Sequence, residues 1–229
     1  VHSKLMSWVG LDRAGKLLGG AWTDEAKRIA ADINARGGPA DHEGLRQAYD
    51  GGTDAAVLLA PMLGFPLDRA TLERTIERVR ETLARGEFFM RYEREDGLQG
   101  QDGAFLVCSS WMIDAELARG RIDAARALLA GLIDRANDVG LYAEEIDPAS
   151  GEFLGNFPQA LTHLGMIGNA VNLELAQRHG AEALRGSYAD RARRAVGATF
   201  GWRAYVAATW QSHRLGRLRS SRRSKLAWP

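Results

Sequence analysis

The chain has 229 residues, 45% of them hydrophobic, and its 30 basic and 29 acidic side chains leave a formal net charge of +1. A chain of this size and composition can bury a core as one domain or as part of a larger one. The single cysteine, Cys108, excludes an internal disulfide, and no apolar run is long enough to span a bilayer. We therefore expect a cytoplasmic protein without a membrane segment. We also expect its natural start to lie upstream of Val1, where a helical pattern is already under way.

Two helices are predicted in the first part of the chain. Apolar residues recur at helical spacing over about residues 3–18, and Gly19 ends this first helix. Thr23 is placed to cap the second helix, which runs to Gly37.

The next elements alternate between helices and loops. A short apolar helix is predicted over residues 54–63, and Asp68 is placed to cap a longer one that continues to Leu83. Residues 88–92 form a short extended piece with alternate aromatic side chains. Residues 97–103 form a Gly-rich loop without the Lys-Ser/Thr that a phosphate loop requires.

The second half of the chain predicts helical pairs. Amphipathic patterns at about residues 104–119 and 122–137, joined tightly at Gly120, predict an antiparallel hairpin. Two more helices follow at about residues 157–178 and 188–211. The total is about eight helices with almost no strand signal. No fixed internal repeat is present, which favours a closed toroid of helix pairs over a solenoid.

The loop between the second and third of these helical patterns carries two adjacent acids. Glu144 and Glu145 follow an aromatic residue, Tyr142, and precede a Gly-Asn-Phe-Pro turn at residues 155–158. A carboxylate in aromatic surroundings is a common arrangement for handling sugars, because it can take a proton from water beside the ring. The alternative is a solvated acidic loop. The flanking residues favour the sugar site.

Four segments together carry a resemblance to a known family. They are HSKLMSWVGLDRA at residues 2–14, GAFLVCSSW at residues 103–111, ARAL at residues 125–128, and the acidic loop with GNFPQA. In the same order they resemble glycoside hydrolase family 15, the glucoamylases and bacterial trehalases. The resemblance implies an all-α fold, an (α/α)6 toroid with the sugar site at one mouth. This chain would hold about eight of its twelve helices. Residues 1–211 would belong to the catalytic domain and residues 212–229 would be a basic tail.

The resemblance also implies a reaction. These proteins are exo-acting and release glucose from a small α-glucoside or α-glucan by inverting hydrolysis between two carboxyl groups. Glu144 lies at the position of the general base, and Glu145 at the position of a supporting neighbour. The general acid of the family precedes the segment that begins at His2. We therefore expect the acid to lie outside this chain, and we expect the chain alone to be inactive.

Other side chains are predicted to bind substrate, namely Arg91, Tyr92, Asp102 and Gln159. The dipeptide Arg91-Tyr92 resembles an Arg-Tyr that contacts substrate in glucoamylases. The alternative for Arg91 is an ion pair with Glu93 or Glu95. The alternative to substrate binding by Asp102 is an Asx turn with Gly103. His163 is predicted to be a structural histidine. Glucoamylases carry a Trp near the position of Ala104, and its absence favours the trehalase-like branch.

Two rival functions follow from other features. Residues 214–225 carry six basic side chains and no acid. A solvated terminal arm is favoured over a contact with nucleic acid, while an oligomer contact is left open. The second rival is a non-catalytic helical scaffold or binding protein derived from the same fold, with uncovered apolar helix faces. The histidines are scattered without metal-site spacing, so we predict no metal and no cofactor.

Overall fold

The computed structural model describes residues 1–38, 44–92, 103–187 and 190–191. Secondary structure in these residues is mainly helical, which confirms the predicted all-α class. The α-helices in these ranges are α1 (His2–Leu18), α2 (Trp22–Asp32), α3 (Ala60–Leu63), α4 (Arg69–Leu83), α5 (Leu106–Ala118), α6 (Ile122–Ile133) and α7 (Ala160–His179). Short 3-10 helices span Ala55–Leu59 and Ala181–Leu184, and a π-helical turn spans Ile33–Gly37.

The chain divides into two units, Val1–Gly186 and Ser187–Pro229. In the second unit the structure describes a turn in which the Ser187 N–H and hydroxyl donate to Asp190 Oδ2, at 2.9 and 2.7 Å. The helix predicted over residues 188–211 and the basic tail lie almost wholly outside the described residues, so both stay predictions.

Local side-chain chemistry explains where several helices begin and end. Gly19 ends α1 with a φ of 68°, a conformation that glycine adopts without strain. Asp68 caps α4 as predicted, because its Oδ1 accepts the Thr71 N–H at 2.8 Å. The prediction that Thr23 caps α2 is wrong, since the helix already begins at Trp22 and has no side-chain cap.

Thr23 has a packing role instead. A Cβ on Gly15 would lie 2.6 Å from Thr23 Oγ1, so this glycine allows the α1 and α2 backbones to approach closely. The two helices pack against each other along their length. Gly15 therefore leaves room for the Thr23 side chain, which lies beside α1 and remains exposed.

Helix α5 lies at the centre of the first unit because it is apolar on two faces. Cys108, Met112 and Ala115 pack with residues of α1, α2 and α4, whereas Ile113 and Leu117 pack with residues of α6 and α7. All five are fully buried. Burial of each large apolar side chain stabilises the fold by about 1.5–3 kcal/mol. The loops at the two ends of α5 are therefore attached to a well-packed helix.

Short strands tie the loops together. Strands β1 (Ala84–Arg85) and β2 (Phe88–Phe89) form an antiparallel pair, and β3 (Ala104–Phe105), β4 (Glu145–Ile146) and β5 (Phe153–Leu154) form an antiparallel sheet with β4 in the middle. The sequence gives almost no signal for them, because two residues are too few for an alternating pattern. The three-stranded sheet matters for function, since it carries the acidic loop to the N-terminal end of α5.

Helix α7 has a largely polar buried face and an apolar exposed face. One face contacts α5, where Asn169 Nδ2 donates to the Ser110 carbonyl and Asn172 Nδ2 donates to Asp114 Oδ1, both at 3.0 Å. Another face is a stripe of exposed apolar side chains, which are Leu161 (62% exposed), Leu164 (64%), Ile167 (63%) and Val171 (55%).

None of the helices in the described ranges has both the length and the apolar character needed to cross a lipid bilayer.

Candidate active site

The backbone of Glu144 is held by two different elements. Its N–H donates to the Asn156 carbonyl at 2.9 Å, and its own carbonyl accepts the N–H of Leu106, the first residue of α5, at 3.0 Å. The bond to Leu106 continues the β3–β4 pairing by one residue, whereas the bond to Asn156 passes over Gly155 just beyond the β4–β5 pairing. Because most side chains of α5 are buried, Glu144 is attached through its backbone to a well-packed helix.

Asn156 also fixes the Glu144 carboxylate. The Asn156 Nδ2 amide and backbone N–H donate to Glu144 Oε2, at 2.7 and 3.2 Å. Glu144 is half-buried, and among the described residues Oε1 has no hydrogen-bond donor. One oxygen of the carboxylate is therefore used for orientation. The other has the lone pairs that a general base offers to water.

Gly155 leaves room for this carboxylate. Its φ is 70°, and a Cβ at this position would lie 3.1 Å from both Cβ and Oε2 of Glu144. A side chain at residue 155 would push against the carboxylate that Asn156 holds. In the predicted Gly-Asn-Phe-Pro turn, Gly155 thus leaves space for the Glu144 carboxylate, and Asn156 donates hydrogen bonds to it.

The residues before Glu144 are attached to the start of α7. The Gln159 N–H donates to the Tyr142 carbonyl and the Thr162 hydroxyl donates to the Ala143 carbonyl, each at 2.9 Å. The Tyr142 ring also meets the His163 ring edge to face at 5.4 Å between centroids. These contacts fix both the aromatic residue and the acid relative to one helix terminus.

The structure gives Gln159 and His163 defined local partners. Gln159 Oε1 accepts the Leu161 N–H at 3.3 Å and so caps α7. His163 Nδ1 lies 2.8 Å from the Gln159 carbonyl, which fits the tautomer protonated at Nδ1. Its buried Nε2 has no partner in the described residues. The predicted substrate contact of Gln159 stays a prediction. His163 has structural contacts through Nδ1 and its ring, whereas the prediction of a fully satisfied histidine is not met at Nε2.

Glu145 has a different environment from its neighbour. It lies in β4, opposite Phe105 on one side and Leu154 on the other. Its Oε2 accepts the Gly103 N–H at 2.8 Å. Successive side chains of an extended segment point to opposite faces, so the two adjacent carboxylates are directed apart. Glu145 therefore holds the end of the Gly-rich loop.

Arg91 is paired with Asp54. Arg91 Nε donates to Asp54 Oδ1 at 2.7 Å, and the guanidinium lies 5.4 Å from the centroid of the Trp111 ring. Tyr92 lies beside it, with its ring centroid 5.9 Å from the guanidinium. The acids considered as partners from sequence, residues 93 and 95, lie outside the described residues, as does Asp102.

Cys108 is a fully buried residue of α5. Burial raises the pKa of its thiol, which the Arg91 cation opposes and the Asp54 and Glu145 carboxylates reinforce. The thiol is therefore held protonated and unreactive. The Arg91 guanidinium lies beside Trp111 and the Glu144 carbonyl accepts the Leu106 N–H, so Arg91 and the acidic loop both contact the first half of α5.

Three residues of this region were not assigned these contacts by sequence reasoning. Asp54 was identified only as the start of a helix, Trp111 only as the end of a family-like segment, and Asn156 only as part of a turn. Asp54 and Trp111 both contact Arg91, which is distant from each of them in sequence. Asn156 contacts Glu144 across a loop. A carboxylate at a helix start was the one available signal for Asp54. Among the described residues, no group of three His, Cys, Asp or Glu side chains is placed to hold a metal ion.

Comparison with known proteins relates this geometry to a family. Residues 1–170 match the family profile described as Glycosyl hydrolases family 15. The chain is 40% identical to a trehalase of Thermoplasma volcanium over 187 residues, which are 77% of this chain and 30% of that protein. It is 40% identical to a trehalase of Mycolicibacterium smegmatis, covering 76% of this chain and 28% of that protein. It is 34% identical to Trehalase 2 of Sulfolobus acidocaldarius, covering 72% and 30%.

The chain thus spans less than a third of the length of these curated relatives. No solved structure matches it significantly. The family match covers α1 to α6, the first half of α7, Arg91 with Asp54, and the acidic loop. The chain belongs to glycosyl hydrolases family 15.

Proposed function

We propose that this chain supplies the general-base part of an inverting α-glucosidase active site, with Glu144 as the base. The observation that carries the proposal is the asymmetric holding of its carboxylate. Oε2 accepts two hydrogen bonds from Asn156, whereas Oε1 has no described donor. An oriented carboxylate with one available oxygen is suited to removing a proton from a water molecule that attacks the sugar ring.

The second carboxyl group of the reaction is proposed to come from sequence outside this chain. In inverting enzymes the acid and the base lie about 6.5–9.5 Å apart on opposite faces of the sugar ring. Glu145 does not suit the acid role, because it is directed away from Glu144 and its Oε2 is bound to the Gly103 N–H. The relatives are more than three times as long as the matched segment. The exposed apolar stripe on α7 is what an incomplete helical toroid would leave uncovered.

The proposed substrate is trehalose. The curated relatives with the matched segment are named trehalases. Arg91 and Tyr92 would contact sugar hydroxyls from the side of the site that faces α5, because a guanidinium offers several N–H donors in a fixed plane. Gln159 and Asp102 are proposed to add contacts from the start of α7 and from the Gly-rich loop. Glu145 would support the base by holding that loop in place.

A substrate panel tests this function. The full-length protein and this chain alone are incubated with trehalose, maltose and maltooligosaccharides, and released glucose is measured. We expect turnover of trehalose by the full-length protein. We expect the chain alone to be slower by at least about 100-fold, because protonation of the leaving group is a separate catalytic task.

Two results would contradict the proposal. Comparable turnover by the chain alone would show that it contains both carboxyl groups. A full-length protein that binds these sugars without hydrolysing any of them would instead support the non-catalytic scaffold. A calorimetric titration with trehalose distinguishes this second case from simple loss of folding.

A further inference from the structure

We propose that Asp54 is a positioning residue that orients the Arg91 guanidinium toward the substrate. The inference rests on the proposed function, because it assumes that Arg91 contacts sugar hydroxyls. It adds a residue that lies 37 positions earlier in the chain and that sequence reasoning treated only as a helix start.

The first support is that Asp54 is itself fixed. It is buried, and its Oδ1 accepts the Ala56 N–H at 2.8 Å as the cap of the 3-10 helix. The same Oδ1 accepts Arg91 Nε–H at 2.7 Å. A carboxylate held by a backbone N–H in the core has little freedom to follow a moving guanidinium. The guanidinium therefore adapts to the carboxylate.

The second support is that the backbones of the two residues are joined. The Ala55 N–H donates to the Arg91 carbonyl at 2.9 Å, and Asp54 forms an isolated antiparallel bridge with Tyr92. The ion pair therefore spans two segments whose spacing is already fixed. Short, charge-assisted hydrogen bonds of this kind are stronger than neutral ones.

The third support is the planar shape of the arginine head. Nε–H is directed at Asp54, and Cζ of the guanidinium lies 5.4 Å from the centroid of the Trp111 ring, so the group is held at its Nε edge and has an aromatic neighbour. The Nη donors then project in a direction set by Asp54. Burial lowers the pKa of Arg91, but the hydrogen bond and charge of Asp54, together with smaller contributions from Cys108 and Tyr92, raise the pKa above its ordinary value.

A double-mutant cycle in the full-length enzyme tests the inference, with trehalose as the substrate. Asp54→Asn keeps an oxygen for the Ala56 N–H but removes the charge that holds Arg91. We expect it to raise KM about 10-fold with kcat within a few-fold, as loss of a hydrogen bond to a charged group would. Arg91→Ala should raise KM by at least as much. The double variant should be no worse than Arg91→Ala alone.

A matched control separates positioning from capping. Asp68→Asn makes the same change at the cap of α4, where the carboxylate accepts the Thr71 N–H and hydroxyl. It should leave KM unchanged. Additive effects of Asp54→Asn and Arg91→Ala, or an unchanged KM in Asp54→Asn, would overturn the inference while the enzyme remained active on trehalose.

A second measurement does not depend on activity. In this chain, the Nε–H proton of Arg91 should exchange slowly with solvent in a ¹⁵N NMR spectrum, because it is bound to a buried carboxylate. Asp54→Asn should speed its exchange at least about 10-fold, whereas Asp68→Asn should not. Fast exchange in the unaltered chain would overturn the positioning role. Inactivity of the full-length protein on every α-glucoside would overturn the proposed function instead.

Discussion

Replacing Glu144 with Gln should lower kcat of the full-length enzyme on trehalose by about 10²–10⁴-fold, the usual contribution of a general base. The amide keeps the size of the side chain, and its oxygen can still accept the two hydrogen bonds from Asn156. It has no basic oxygen for the attacking water. Binding contacts made by other residues remain, so KM should stay within a few-fold. Initial rates of glucose release over a range of trehalose concentrations measure both parameters.

The matched control for this change is Glu152→Gln. Glu152 lies in the same segment, between Glu144 and Asn156 in sequence, and its side chain is exposed. The same chemical change there should leave kcat within about 2-fold, because surface substitutions away from a site have small effects. If Glu144→Gln kept a kcat close to that of Glu152→Gln, Glu144 would not be the base.

Replacing Glu116 with Gln should lower the free energy of unfolding of this chain by about 3–5 kcal/mol. The Glu116 side chain is fully buried near the C-terminal end of α5. Its oxygens accept Arg119 Nε at 2.6 Å and Arg119 Nη2 at 2.7 Å, and it also pairs with Arg80. Arg119 is itself 5% exposed and binds Glu73 at 2.9 Å. Loss of the carboxylate leaves buried positive charge without its main partner.

Urea unfolding followed by circular dichroism measures this loss. Glu174→Gln is the control, because Glu174 pairs with Arg178 on the exposed surface of α7. Such exposed pairs contribute about 0.3–0.5 kcal/mol. Glu116 lies about 15 Å along α5 from Leu106, which binds Glu144, so the folded fraction of the variant should keep the site. A destabilisation below about 1 kcal/mol would show that the cluster is not a structural requirement.

The helices of this fold could be predicted where local chemistry defines them. Apolar spacing and a glycine located α1, and the carboxylate of Asp68 located the start of α4. The start of α2 was misplaced because Thr23 packs against α1, and a contact between helices leaves no local signal. Helix α7 buries Thr162, Asn169 and Asn172 and leaves an apolar stripe exposed, so apolar spacing alone could not indicate which face is covered.

The candidate site was predictable only in part. Glu144 and Glu145 were singled out from their flanking residues, whereas their separate roles and the choice of Arg91 came from a family resemblance, and the family match covers residues 1–170. Their hydrogen-bond partners could not be predicted, because Asn156 and Asp54 lie 12 and 37 residues away in sequence. Only the folded chain brings these pairs together. The roles assigned to Glu144, Glu145, Arg91, Tyr92, Asp102 and Gln159 stay predictions until the variants are measured.

The stereochemistry of the first products tests the central claim most directly. Water activated by Glu144 on the face opposite the leaving group would invert the attacked carbon. Trehalose has two α-linked glucose units, so hydrolysis by the full-length enzyme should first give equal amounts of β-glucose and α-glucose. A ¹H NMR spectrum recorded in the first minutes, before the anomers interconvert, distinguishes them. Initial formation of α-glucose alone would mean retention and would contradict the role of Glu144 as a base.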